Sequence, residues 1–221
     1  MAASFSLPRR LYLSLYNWTL LFGWCQVLYF VLKTLKESGH ERVYNAAEKP
    51  FLLAQTAALL ELLHGLVGLV RSPITSTLPQ IGSRLYLTWG ILWSFPEIQS
   101  HVLVTSLLIS WSITEIIRYS FFGFKEAFGF YPPWLLWLRY SSFIIFYPIG
   151  ISSEVGLIYI ALPFIKASER YCIRMPNKWN LSIDYFYGAI FAMAIYVPGS
   201  PHLYTYMLGQ RKKALSKSKI E

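Results

Sequence analysis

Charge is scarce in this chain. Only 14% of its residues are Asp, Glu, Lys or Arg, and Asp184 is its single aspartate. The two cysteines, Cys25 in an apolar run and Cys172 in a polar stretch, give no disulfide framework and no paired metal-ligand spacing, so both read as structural. Neither is followed at the required spacing by the arginine of a phosphatase loop. There is no Gly-rich phosphate or dinucleotide loop and no Gly-x-Ser-x-Gly elbow. Glu61 and His64 form a Glu-x-x-His pair, half of a di-iron site, but His40, His101 and His202 supply no second half. These absences weigh against nucleotide-dependent, acyl-transfer and phosphatase chemistry, and lead to the expectation of no metal and no cofactor.

What the chain does have is apolar surface. It is 55% hydrophobic and 18% aromatic, with a mean hydropathy of +0.41, outside the ordinary soluble range. A spanning helix takes about 20 mostly apolar residues, so 221 residues hold about half a dozen spans and no separate soluble domain. The fold expected is all-α, a polytopic membrane protein of one domain over residues 1–221. Its spans fall near 11–32, 50–70, 78–96, 102–124, 140–163 and 182–205. The third is short, and five or seven spans also fit. Arg9 and Arg10 precede the first run like the start of a signal peptide, but the run is too long and has no small-residue cleavage site, so it reads as a retained span. Tyr12, Tyr16 and Trp18, and again Tyr131, Trp134 and Trp137, flank span ends as interfacial aromatics do.

The net charge of +9 does not mark a nucleic-acid binder, because five of the basic residues, Arg211, Lys212, Lys213, Lys217 and Lys219, sit in one short tail. With six spans both termini share a side, and that side carries twelve Lys and Arg against eight opposite, which predicts cytosolic termini. The tail, residues 209–221, ends in KSKIE, which resembles the dilysine retrieval signal of endoplasmic reticulum membrane proteins.

An ionisable side chain in mid-membrane costs roughly 2.5 to 3.5 kcal/mol on insertion scales, so each one calls for a partner or a purpose. The predicted spans hold Glu61, His64, Gln80, Arg84, Glu115, Arg118, Tyr147 and Glu154. Glu115 and Arg118 are three apart and pair readily on a helix, although Arg118 lies near a span end where it could meet an anionic ligand instead. His64 reads as a side chain holding neighbouring helices together. Tyr147 and Glu154 are seven residues apart, about 700° and about 10.5 Å along a helix, and so project from one face. Pro148 and Gly150 between them predict a kink, and freed carbonyls with Ser152 and Ser153 would make a small polar pocket.

A phenol and a carboxylate form an acid–base pair. Elimination of water from a 3-hydroxyacyl thioester needs both roles: the C2 proton leaves and the C3 hydroxyl departs as water, with no cofactor. Reference acidities favour Glu154 as base and Tyr147 as acid. Arg84, Arg118, Lys125 and Arg139 fall at the predicted cytosolic end, suited to the phosphates of coenzyme A.

The stretches LYNWTLLFGW, LLELLHGLVGLVRSP, LPQIGSRL, WSITEIIRYSFF, RYSSFIIFYPIGISSEVGLIY and YMLGQRKKALSKSK cover nearly the whole chain. In them it resembles the very-long-chain (3R)-3-hydroxyacyl-CoA dehydratase family of protein-tyrosine-phosphatase-like membrane proteins, and most closely its plant Pasticcino-type members. The motif Tyr-Pro-Ile-Gly-x-x-x-Glu, Tyr147 to Glu154, is the specific part. The resemblance implies a six-span endoplasmic reticulum lyase for the third step of fatty-acid elongation. It places Tyr147 and Glu154 as catalytic residues, with Gln80, Arg84, Glu61, Glu115, Arg118, Gly150, Lys125 and Arg139 in support. It also implies a condensing enzyme and two reductases as partners, and in plants an association with cell-division control. Two other readings stay open at this stage: a non-catalytic scaffold for elongation or signalling proteins, and a small transporter, which the apolar opposite halves of the spans disfavour.

Overall fold

Along the first helix Leu13, Asn17, Leu20, Trp24, Val27 and Val31 recur in alternating steps of four and three residues, and these are its buried positions. That stripe is narrow, as in a helix that meets its neighbours along one seam and turns the rest of its surface outward. The outward side remains apolar, with Leu15, Phe22 and Tyr29 exposed, the reverse of a soluble helix.

The structure, a computed structural model, describes residues 7–70, 74–176, 178, 180 and 182–217. Among these residues its regular secondary structure is helical, apart from one antiparallel bridge between Ile173 and Ile183. The α-helices are α1 (Leu7–Ser38), α2 (Val43–Ala57), α3 (Leu59–Leu66), α4 (Ile74–Leu85), α5 (Val102–Phe128), α6 (Pro133–Ser141), α7 (Phe143–Ser168) and α8 (Tyr185–Lys217). Among the described residues three stretches are long and apolar enough to cross a membrane: Leu7–Ser38, Val102–Phe128 and Pro133–Ser168, the last being α6 and α7 together. At 32 residues α1 is about 48 Å long, more than a hydrocarbon core of about 30 Å.

α5 is the hub. It packs against α1, α2, α6 and α7, and α7 packs in turn against α8. His101 caps its start by accepting the Leu103 N–H at 3.2 Å on Nδ1. Gly129 ends it at φ 77°, its N–H on the Lys125 carbonyl at 3.1 Å, a left-handed stop that glycine adopts without strain. The core gathers Trp24, Phe51, Leu107, Leu108, Trp111, Leu157 and Ile158 from α1, α2, α5 and α7.

Several predicted boundaries move. The second span, expected at 50–70, starts as helix at Val43 and is interrupted at Ala58. There the Ala58 N–H bonds Gln55 and the Ala58 carbonyl accepts from Glu61, both three-residue steps that tighten the turn. It ends at Leu66, beside Gly68 at φ 70°. The third, expected at 78–96, is two pieces: α4 to Leu85, then a π-helical stretch Tyr86–Trp93, wound wider than an α-helix. α7 stays helical through Pro148 and Gly150, and a full interruption sits earlier, at Ser142. Proline removes only its own donor, and a well-packed helix can continue past it. The basic tail continues α8 in helical form to Lys217, while Lys219 lies outside the described residues.

Candidate functional site

Both side chains of the Tyr147/Glu154 pair reach α8, as seven-residue spacing on one helix requires. The Tyr147 hydroxyl donates to the Ser200 carbonyl at 3.2 Å, and its ring lies 5.9 Å from that of Tyr204. One turn earlier on α8, the Tyr196 hydroxyl donates to Glu154 Oε2 at 2.7 Å. Ser200 Oγ donates to the Tyr196 carbonyl at 2.6 Å, tying the two α8 positions together. Glu154 is buried, and its other oxygen, Oε1, accepts the Trp111 Nε1–H from α5 at 3.1 Å. The carboxyl group is thus held from two helices by two donors aimed at separate oxygens. Tyr147 is only half-buried, flanked by exposed Ile144, Ile145 and Ile149.

Close approach of α5 and α7 lets Trp111 reach Glu154. Gly150 is buried at that contact, and a Cβ there would lie 3.6 Å from Ser110 Oγ and 3.9 Å from the Trp111 ring, ordinary contact distances. Ser153 adds a hydrogen bond from its Oγ to Ser106 Oγ at 3.0 Å, and bonds back to the Ile149 carbonyl at 2.8 Å. The hydroxyl pocket expected from Ser152 and Ser153 is, at Ser153, a helix–helix tie.

The other polar residues assemble into an alternating chain of charge. Arg118 grips Glu61 in bidentate fashion, Nη1 to Oε2 at 2.7 Å and Nη2 to Oε1 at 2.9 Å. Its Nε donates to Glu115 Oε2 at 2.7 Å, and Glu115 Oε1 accepts from Arg84. The Tyr119 hydroxyl donates to Glu61 Oε1 at 2.6 Å and accepts from Arg118 Nη2 at 2.7 Å. Two guanidinium groups therefore meet two carboxylates, and the cluster is neutral as a whole. It joins α3, α4 and α5 through hydrogen-bonded charge, the arrangement that lets buried ions persist. The Arg84 guanidinium also lies 4.9 Å from the centroid of the Trp111 ring. Trp111 thereby links the charge cluster to Glu154.

The four cations expected to gather for phosphate are thus differently engaged. Arg118 and Arg84 belong to the neutral cluster. Arg139 packs over the rings of Phe122 and Phe121 at 4.3 and 4.6 Å. Lys125 is exposed. Gln80 is exposed as well, its carbonyl accepting Ser83 Oγ at 3.1 Å, so its amide does not join the cluster. His64 is buried and meets the Tyr12 hydroxyl at 2.9 Å on Nε2, with Tyr16 edge-on at 4.8 Å, a tie between α1 and α3 of the kind expected for it. Sequence reasoning missed Trp111, Tyr119 and Tyr196. The only signal for them was that each is an aromatic with a polar tip inside an apolar run, which in a chain that is 18% aromatic singles out nothing.

These features define a class: an all-helical protein with membrane-length helices that holds a tyrosine–glutamate pair on α7 and a neutral ion cluster between α3, α4 and α5. Within that class the chain belongs to the family described as protein tyrosine phosphatase-like protein, PTPLA, whose pattern matches residues 55–217. The phosphatase in that name has no counterpart loop here, since the sixth residues after Cys25 and Cys172 are Val31 and Lys178 rather than arginine. The chain is 74% identical over 219 residues, 99% of each chain, to the rice "Very-long-chain (3R)-3-hydroxyacyl-CoA dehydratase PASTICCINO 2A". It is 72% identical over 221 residues, the whole of both, to PASTICCINO 2 of Arabidopsis thaliana, which bears the same dehydratase description. Human "Very-long-chain (3R)-3-hydroxyacyl-CoA dehydratase 2" is 41% identical over 206 residues, 93% of this chain and 81% of that one. No solved structure matches the chain.

Proposed function

We propose that this chain is a very-long-chain (3R)-3-hydroxyacyl-CoA dehydratase, a hydro-lyase acting in very-long-chain fatty-acid elongation, and that Tyr147 and Glu154 carry its chemistry. The activity rests on relatives of the same description that match the chain end to end. The assignment of residues rests on one observation: Glu154 is buried with a donor on each oxygen, while Tyr147, on the same side of α7, gives its own proton to a carbonyl.

Those bonds suit a division of roles. A carboxylate accepts on both oxygens, so the donors Trp111 and Tyr196 match the ionised form of Glu154. Glu154 takes the C2 proton of the bound thioester, and the electrons of that C–H bond become the C2=C3 double bond. The C3–O bond breaks, its oxygen takes the Tyr147 phenolic proton, and water leaves. Return of the proton from Glu154 to the Tyr147 phenolate restores the starting state. No electrons are gained or lost, and no co-reactant is needed. Substrate displaces the Tyr147–Ser200 hydrogen bond as the C3 hydroxyl takes the place of the carbonyl. The acyl chain reaches the site sideways from the bilayer, past half-buried Tyr147. Trp111 and Tyr196 position Glu154, and the Arg84–Glu115–Arg118–Glu61 cluster positions Trp111.

A six-span arrangement with both termini cytosolic, in the endoplasmic reticulum membrane, fits the charge bias and the basic end of the chain. A condensing enzyme and two reductases would supply the substrate and consume the product. The direct test of the activity is to incubate the detergent-solubilised chain with a 3-hydroxyacyl-CoA in deuterated water. Formation of trans-2-enoyl-CoA, with deuterium entering C2 in the reverse reaction, is the expected result. A wild-type chain that forms no enoyl-CoA contradicts the reading.

A further inference from the structure

We infer that the groove between α6 and α8 seats the phosphate-bearing nucleotide head of the coenzyme A thioester, with Arg211 and Lys212 as its anion-binding residues. The inference rests on the dehydratase reading and gives it a substrate-binding end. The groove has a volume of about 730 Å³, with Pro133, Trp137, Leu208 and Leu215 as its apolar walls and Arg211 and Lys212 as its charged ones. Among the described residues no carboxylate lines it. A basic edge beside an indole matches a ligand that joins phosphates to an aromatic base, since guanidinium pairs with phosphate and a ring stacks on a ring.

Position supports this occupant over a bare anion. Contacts of α6 and then α7 with α8 lead from the groove to the candidate site. Arg211 Nε donates to Ser141 Oγ at 3.1 Å, then Phe143 meets Tyr204 at 5.8 Å between ring centroids, then Tyr147 meets Tyr204 and Ser200. Arg211 lies eleven residues beyond Ser200 on α8, about 16.5 Å at helical rise. The arm joining the sulfur of a coenzyme A thioester to its pyrophosphate has about thirteen bonds, about 15 Å when extended as a peptide chain is. With phosphates at Arg211, the thioester reaches Tyr147. The Arg84, Arg118 and Arg139 guanidinium groups are taken up by carboxylates and rings, whereas Arg211 and Lys212 line the groove itself.

The test is calorimetric titration of coenzyme A itself into the full chain in uncharged detergent, for wild type, the double variant Arg211→Gln/Lys212→Gln, and Ser141→Ala. Ser141→Ala removes the hydrogen bond to Arg211 but no charge, and so controls for packing. The expected result is a loss of affinity of about tenfold or more in the double variant and little change in Ser141→Ala, as removal of charge-assisted phosphate contacts produces. In turnover, the same double variant loses its preference for the coenzyme A thioester over the matching pantetheine thioester. Equal coenzyme A affinity in wild type and double variant overturns the inference, as does a wild type that binds none. So does unchanged coenzyme A affinity alongside lost binding to phosphatidylserine vesicles, which makes the groove a headgroup seat. Calorimetry needs no catalysis, so an inactive chain whose coenzyme A binding depends on Arg211 and Lys212 refutes the dehydratase reading and leaves the groove standing.

Discussion

Glu154 shows how a single side chain can be legible in kind but not in company. A glutamate seven residues after a tyrosine in a greasy helix stands out because its burial is costly. What makes that burial tolerable comes from Trp111 and Tyr196, which lie 43 and 42 residues away in sequence. No local pattern joins them. The account predicts that Tyr196→Phe keeps the ring and removes one donor, lowering kcat by about ten- to a hundredfold, the worth of one hydrogen bond to a charged acceptor. KM should stay near its wild-type value, and the pH profile of kcat should change, because the Glu154 carboxyl group loses one of its two donors. A packing role alone would change the amount of folded protein and leave the pH profile in place.

At the scale of elements, long apolar runs were read well because length and hydropathy are local properties: α1, α5 and the α6–α7 stretch lie where expected. The break at Ala58 and the π-helical turn at Tyr86–Trp93 were not, since each depends on what the neighbouring helices supply. The Glu115–Arg118 pair was foreseeable from its three-residue step, but its extension to Glu61 and Arg84 required α3 and α4 to be placed beside α5. That cluster is the polar bond between those helices. Arg118→Met leaves Glu61 and Glu115 with one arginine between them. The expected cost is about 3 kcal/mol, at the low end for a broken buried pair because the Arg118 side chain keeps 31% exposure. Thermal unfolding in detergent should show it as a clear fall in Tm, and Arg118→Lys, without the planar fork, should recover only part. A Tm unchanged in Arg118→Met would mean that the cluster does not hold the helices together.

Across the whole molecule, composition alone marked a membrane protein, and the exposed apolar faces of α1 and α7 agree with it. Sidedness came from charge counting in which the C-terminal tail supplied the excess, so it is best tested directly. Cysteines introduced near Leu7 and near Lys213 should both react with a membrane-impermeant maleimide in sealed microsomes, whereas one introduced near Met175 should react only after permeabilisation. Labelling of the two ends from opposite sides would exclude an even number of spans. Whether one phenol and one carboxylate on one side of α7 carry the reaction is read from single-turnover conversion of a 3-hydroxyacyl-CoA by purified wild type, Tyr147→Phe and Glu154→Gln, each verified as folded. The account predicts enoyl-CoA from wild type and a loss of about a thousandfold or more in either variant, with substrate still bound, as expected when an acid or a base is removed outright. Wild-type rates in both variants would contradict it.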